Sequence, residues 1–236
     1  MSQKDFVAAT EVQAIFDRIA PVYDQLNSWL SFGQHRVWKL MTVKWCEPQA
    51  GQKALDVCCG SGDLTQLLAR QIGSTGQVIG LDFSENLLAI AAERANQIFP
   101  ALPITWQVGD ALNLPFENDT FDCATMGYGL RNVTDIPRAL SELQRVLKTG
   151  GKVAILDFHH PTQGWMQQFQ RWYLQTVVVP TANYFQVTDE YAYIYPSLER
   201  FPNGKTQVKL AQQVGFSHAV HYAIAGGLMG VLVAQK

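Results

Sequence analysis

From Lys53 to Phe158 the chain repeats one pattern, a short apolar run followed by a segment of helical period. The strand-like runs are KALDVCC (53–59), GQVIGLDF (76–83), ITWQVGD (104–110), FDCATMG (121–127) and GKVAILDF (151–158). Between them, DLTQLLARQIG carries Leu64, Leu67, Leu68 and Ile72 at helical spacing, with Gly73 placed to stop it. SENLLAIAAERANQIF offers Ser84 as an N-cap, with Leu87, Leu88, Ala91 and Ala95 on one face. IPRALSELQRVLK points Ile136, Leu140, Leu143 and Leu147 one way before the glycine turn KTGG. Strands alternating with helices predict a parallel sheet with right-handed crossovers, a doubly wound α/β fold. The end of the chain breaks the pattern. HAVHYAIAG and GLMGVLVAQ are strand-like and meet at Gly226-Gly227, which predicts a hairpin and hence an antiparallel last strand.

Two segments lie outside this repeat. Residues 1–50 contain a helical pattern at Val12, Ile15, Phe16 and Ile19, broken by Pro21. Residues 159–205 are rich in aromatics, among them Trp165, Phe169, Trp172, Tyr173, Tyr193 and Phe201. The expected organisation is one domain over 1–236, with residues 1–50 as a helical cap and 159–205 as a cap inserted between strands. At 236 residues the chain can bury a full core. Its 47% hydrophobic and 16% charged residues are those of a globular protein. A formal charge of −2 with no basic run argues against a nucleic-acid partner. The opening MSQKDFVAATEVQ is too polar for a signal peptide, and no run of about 18 apolar residues occurs, so the expected place is cytoplasmic or on a membrane surface. Cys46, Cys58, Cys59 and Cys123 form no C-x-x-C pair and the histidines lack ligand spacing, so free thiols and no metal are expected.

The loop after the first strand, CCGSGDLT, belongs where doubly wound sheets bind ligands, beyond the carboxyl ends of the strands. Gly60 and Gly62 let a ligand approach the backbone. A dinucleotide fingerprint needs a third glycine three residues later, where Thr65 stands, and no Lys-Ser/Thr follows to make a P-loop. Asp82 ends the second strand, where such folds hold a ribose, and can accept from both ribose hydroxyls. Asp56 precedes the loop and Asp110 ends the third strand. Three carboxylates repel a pyrophosphate but suit a cation. S-adenosylmethionine, with its sulfonium, ammonium, ribose and adenine, fits them better than a nicotinamide dinucleotide. The plainer alternatives are a simple glycine turn, Asp82 as a helix cap, and Asp110 as a turn residue before Asn113 and Pro115.

FDRIAPVYDQLNSWLSFGQHRVWK (16–39), GYGLRNVTD (127–135) and RVLKTGGKVAILDF (145–158) carry a family resemblance that covers nearly the whole chain. It resembles the ubiquinone/menaquinone-biosynthesis C-methyltransferases, within the class I S-adenosylmethionine-dependent methyltransferases. The resemblance implies a seven-stranded sheet with a reversed last strand. It implies cofactor contacts at Thr65, Asp82, Asp110 and Ala111, and at Gly127. Many members have Asn at the place of Asp110 and Ser at the place of Gly127, in SFGLRNV rather than GYGLRNV. ILDFHHP (155–161) and YAYIYPSLERFPNG (191–204) resemble the branch that methylates demethylphylloquinone.

That resemblance implies a ring carbon of a lipophilic prenylated quinol as acceptor. GYGL follows the fourth strand, where base-amine methyltransferases would show an Asn/Asp-Pro-Pro-aromatic tetrad. A quinone carbon is electrophilic, so the ring must be reduced before it can attack a methyl group. Arg131 would stabilise the phenolate, with Tyr128 beside it, or else Arg131 pairs with Asp135 at i+4. Asp157 or His159 would assist loss of the ring proton, or cap the strand end. Tyr23, Trp165, Phe169 and Tyr193 are the candidate substrate contacts, and the aromatic segment is either a groove for an isoprenoid tail or a helix packed on the sheet. A bilayer-resident substrate calls for docking at the membrane surface, with Trp29 and Trp38 as aids. The rival readings are a C-methyltransferase for a demethylmenaquinol or benzoquinol, a protein that binds the cofactor without catalysis, and a methyltransferase for a sterol or tocopherol precursor.

Overall fold

The computed structural model describes residues 31, 33–98, 101–159, 161, 164–173, 176 and 194–236. Helix α1 (His35–Cys46) leads into β1 (Lys53–Val57), α2 (Asp63–Ile72), β2 (Gln77–Asp82), α3 (Glu85–Asn96), β3 (Ile104–Val108) and β4 (Phe121–Gly127). A 3₁₀ turn, Leu130–Asn132, precedes α4 (Ile136–Val146) and β5 (Leu147–Phe158). Then come α5 (Gly164–Tyr173), α6 (Ile194–Arg200), α7 (Gly204–Gln213), β6 (His218–Ile224) and β7 (Met229–Gln235). The predicted helix around Val12–Ile19, Trp29 and most of the aromatic segment lie outside the described residues.

The seven strands form one sheet in the order β3-β2-β1-β4-β5-β7-β6. β1 to β5 pair in parallel, while β7 runs antiparallel to both β5 and β6. The expected reversed last strand is therefore present, wedged between β5 and β6. The chain turns from β6 to β7 through the three-residue 3₁₀ turn Ala225–Gly227, with Gly226 at φ 67° and Gly227 at φ 93°. The β5 strand starts earlier than expected. Leu147 pairs with Phe121 directly after α4, and a bulge then shifts the register so that Lys152 meets Cys123. Thus KTGG is an irregular stretch of strand, not a free turn after the helix.

Period-two burial sorts the strand residues onto two faces. Leu55, Ile79 and Ile155 pack with Ala139, Leu140 and Leu143 of α4. Ala54, Val78 and Ala154 pack with Val43 and Cys46 of α1 and with Leu64, Leu68 and Ile72 of α2. Leu68 and Ile72 are fully buried, each contributing about 1.5–3 kcal/mol by burial. Ser84 and Gly73 end their helices as the sequence predicts, and Asp135 is a cap that the sequence reading did not assign. Ser84 Oγ accepts from Leu87 N at 3.2 Å, Asp135 caps α4 by accepting from Arg138 N at 2.9 Å, and Gly73 ends α2 at φ 71°. Cys46, Cys59 and Cys123 are buried free thiols and Cys58 is half-buried.

Candidate active site

The strand order reverses between β1 and β4, so the crevice beyond their carboxyl ends is where a doubly wound sheet takes its ligand. The turns leaving these strands touch: a Cβ on Gly129 would lie 2.6 Å from Cys58 Cβ. Both turns use left-handed backbone at non-glycine residues, Cys58 at φ 55° and Tyr128 at φ 59°. Such residues are strained and persist because their surroundings hold them. Tyr128 N donates to Leu156 O at 2.7 Å, and Cys59 N to Leu81 O at 3.0 Å.

The glycine loop has two different glycines. A Cβ on Gly62 would meet Trp106 Cη2 at 2.6 Å and Ala91 Cβ at 3.1 Å, so this glycine is a packing necessity. A Cβ on Gly60 would meet no atom within 4 Å, so the loop backbone faces open space there. Asp82, almost fully buried, accepts from Gly60 N at 2.8 Å and from Ser84 N at 3.0 Å. It thereby joins the glycine loop to the start of α3. The helix cap itself is Ser84, not Asp82. Asp110 is exposed and accepts from Leu112 N at 2.9 Å, so it shapes the turn after β3 while leaving carboxylate surface open to a ligand. Ala111 packs into the core.

Two expected cofactor contacts stand elsewhere. Asp56 is fully buried, its Oδ2 accepting from Thr65 Oγ1 at 2.6 Å and its Oδ1 from Thr125 Oγ1 at 2.8 Å. Burial pushes this carboxyl up to about 7, against the two hydroxyls and Lys39, which pull it down. Thr65, also fully buried, turns its hydroxyl to Asp56. In this arrangement neither side chain offers an atom to a ligand, and the pair instead braces the loop from beneath. At Gly127 a Cβ would lie 2.7 Å from Leu64 Cδ1, so a serine there would require Leu64 to move.

Beyond β4, Arg131 and Asp157 form a buried ion pair, Nη1 to Oδ1 at 2.8 Å, with side chains 8% and 4% exposed. The Asp157 carboxylate also accepts from Arg131 N at 3.1 Å and Phe158 N at 2.8 Å. Arg131 Nη1 donates to Tyr128 O at 2.8 Å, and the guanidinium carbon lies 5.0 Å from the centre of the Phe158 ring. The i+4 alternative, Arg131 with Asp135, is not what forms, because Asp135 is engaged as the cap of α4. Asp157 is thus committed to the cation and two backbone amides, which suits it to fixing Arg131 better than to accepting a proton. A cleft of about 420 Å³ is lined by Arg131, Val133, Ile136, Arg200, Phe201 and Leu210. His159 packs its ring on that of His221, centroids 4.8 Å apart, at the β6–β7 side of the sheet. Tyr23, Tyr193 and the side chains of Trp165 and Phe169 lie outside the described residues. Trp172 on α5 is 53% exposed, so this ring of the aromatic stripe is not core.

Two residues that sequence reasoning passed over belong to this site. Trp106 covers Gly62 and Gly80. Lys39 sits in the buried stripe of α1 with His35, Thr42, Val43 and Cys46, and its Nζ donates to Asp63 Oδ2 at 2.6 Å. A lysine at a core-facing position of an amphipathic helix was the available signal. Among the described residues no group of three His, Cys, Asp or Glu side chains could hold a metal. The residues present fit S-adenosylmethionine: open backbone at Gly60, acids at the ends of β2 and β3, and a cation at Lys39.

Comparison with known proteins bears on these features. The model of the ubiE/COQ5 methyltransferase family matches residues 4–236. The chain is 62% identical over 226 residues to the 2-phytyl-1,4-naphthoquinone methyltransferase of Nostoc punctiforme, covering 96% of this chain and 98% of that protein. It is 60% identical to the protein of that name in Synechocystis, covering 95% and 94%, and 48% identical to the chloroplastic one of Arabidopsis thaliana, covering 97% and 88%. Among solved structures, a SAM-dependent methyltransferase from Thermotoga maritima superposes with a TM-score of 0.67 at 20% identity, covering 94% of this chain and 99% of that one. At that identity the likeness concerns the fold, which is that of the class I methyltransferases.

Proposed function

Because the chain belongs to the ubiE/COQ5 methyltransferase family, we propose that it transfers a methyl group from S-adenosylmethionine to a ring carbon of 2-phytyl-1,4-naphthoquinol, the reduced form of the quinone in its relatives' names. The donor, when bound, supplies the electrophilic methyl group. Asp82 and Asp110 receive its ribose and adenine side, at the ends of β2 and β3. The acceptor ring enters the cleft lined by Arg131, Val133, Ile136 and Phe201.

The observation that carries this reading is the buried Arg131–Asp157 pair beside that cleft. A guanidinium fixed by a carboxylate and by Tyr128 O is preorganised to stabilise a phenolate at a ring oxygen, and so to drive electrons toward the ring carbon. Removing such a donor costs roughly 10²–10³ in kcat. Tyr128, held at φ 59° between the two strand exits, positions the acceptor loop. The ring proton leaves to water or to a group at the cleft, since Asp157 already accepts three hydrogen bonds.

A phytyl tail resides in a bilayer, and the proposal includes peripheral docking at its cytoplasmic face. Its support is α1, where Val37 and Leu40 are 55% and 52% exposed beside Arg36 and Lys44, with no acid in the helix. Among the described residues no helix is long and apolar enough to cross a membrane.

The test is kcat/KM in liposomes, without oxygen, for tailed naphthoquinol, tailless naphthoquinol, tailed benzoquinol and the unreduced quinone. The tailed naphthoquinol should be best and the quinone inert. A benzoquinol preference would move the enzyme to ubiquinone synthesis, and equal rates on quinone and quinol would reject the phenolate mechanism.

A further inference from the structure

Asp82 and Asp110 serve the ribose and adenine side of the proposed methyl donor but leave its amino-acid carboxylate without a partner. We propose that Lys39 is that partner, an inference resting on the functional reading above. Lys39 comes from α1, ahead of the sheet, yet reaches the reversal point between β1 and β4. Its Nζ lies 2.6 Å from Asp63 Oδ2, one residue past the glycine loop, and 6.0 Å from the centre of the Tyr128 ring, just past β4. It therefore stands between the exits of β1 and β4.

The burial of Lys39 points the same way. The Lys39 side chain is 8% exposed, and a buried cation needs close to a full counter-charge. Asp63 is shared, since Arg94 Nη1 sits 3.4 Å from its other oxygen. The nearby Asp56 is turned to two hydroxyls and, pushed up to about 7, carries only part of a charge at neutral pH. An ammonium has three N–H donors, and among the described residues one is taken, by Asp63. A ligand carboxylate at the crevice would accept from another of the three.

The experiment is calorimetric binding of S-adenosylhomocysteine and of its decarboxylated analogue to wild type, Lys39→Gln, Lys39→Arg and Asp63→Asn. Lys39→Gln should weaken S-adenosylhomocysteine roughly 10- to 100-fold, the value of a charge-assisted contact, and leave the decarboxylated analogue within about twofold. Lys39→Arg should recover part of the loss. Asp63→Asn, which removes the ion pair but keeps the lysine, should leave the ratio of the two affinities within about threefold of wild type. Equal weakening of both ligands by Lys39→Gln would overturn the assignment and make Lys39 a brace for the loop. Unchanged binding would overturn it as well. Wild type that binds neither ligand would overturn the proposed function itself, and this inference with it.

Discussion

Replacing Asp157 by Asn tests the part of the site that depends most on burial. The carboxylate holds three hydrogen bonds, from Arg131 Nη1 at 2.8 Å, Arg131 N at 3.1 Å and Phe158 N at 2.8 Å. Asn can keep an acceptor for Phe158 N and Nη1, but it turns an NH₂ toward Arg131 N and leaves the guanidinium without its counter-ion. Arginine cannot shed its charge, so the full penalty of a broken buried pair applies, about 3–5 kcal/mol. For a chain of this size that is a Tm fall of roughly 6–15 °C. Arg131→Gln should cost less, about 2–3 kcal/mol, because the Asp157 carboxylate keeps two backbone amide donors, Arg131 N and Phe158 N, when the guanidinium is gone. The double variant should be more stable than the sum of the singles by at least about 1.5 kcal/mol, since no buried charge remains. Urea unfolding of the four proteins measures the stabilities, and methyl transfer on the same samples measures activity. Both Arg131→Gln and Asp157→Asn should lower kcat by roughly 10²-fold or more. An Asp157→Asn protein within about 1 kcal/mol of wild type, or a fully additive cycle, would show that the pair is not load-sharing in the way the geometry implies.

Gly62→Ala should cost about 2–4 kcal/mol, combining left-handed backbone at φ 85° with a Cβ driven into Trp106; Gly60→Ala, in open space at φ 53°, should cost about 1 kcal/mol, and equal melting temperatures for the two variants would refute the packing argument. Burial, aided by the His159 ring, lowers the His221 pKa from 6.5 to about 4. The unfolded chain therefore binds a proton that the folded one refuses, and this contribution, complete above pH 6.5, is lost as pH falls toward 4. For a half-buried ring the loss between pH 7.5 and 5 should be about 1–2 kcal/mol, and His221→Gln should remove it; equal acid losses in thermal melts of both proteins would reject the linkage.

Much of this architecture was readable from the chain alone. Alternating runs announced the parallel sheet, Ser84 and Gly73 marked helix ends, and the glycine pair, Asp82 and Asp110 marked the turns beyond β1, β2 and β3. These features are local. A hydrophobic period or a cap is decided by residues within one or two turns, so sequence order suffices to see it. Partners of polar groups were another matter. Arg131 had a candidate four residues on, at Asp135, but took Asp157, 26 residues away, because the cap of α4 had already claimed the nearer acid. Asp56 and Thr65 looked like ligand contacts, yet they close on each other and on Thr125, from a strand 69 residues later. Lys39 reads as one more helix cation until the fold sets it against Asp63 and Tyr128 at the reversal point. Periodicity tells which side of an element is buried, but the crossovers decide what lies across from it. A buried charge takes its partner from there, since desolvation makes the cost of going unpaired larger than any local preference.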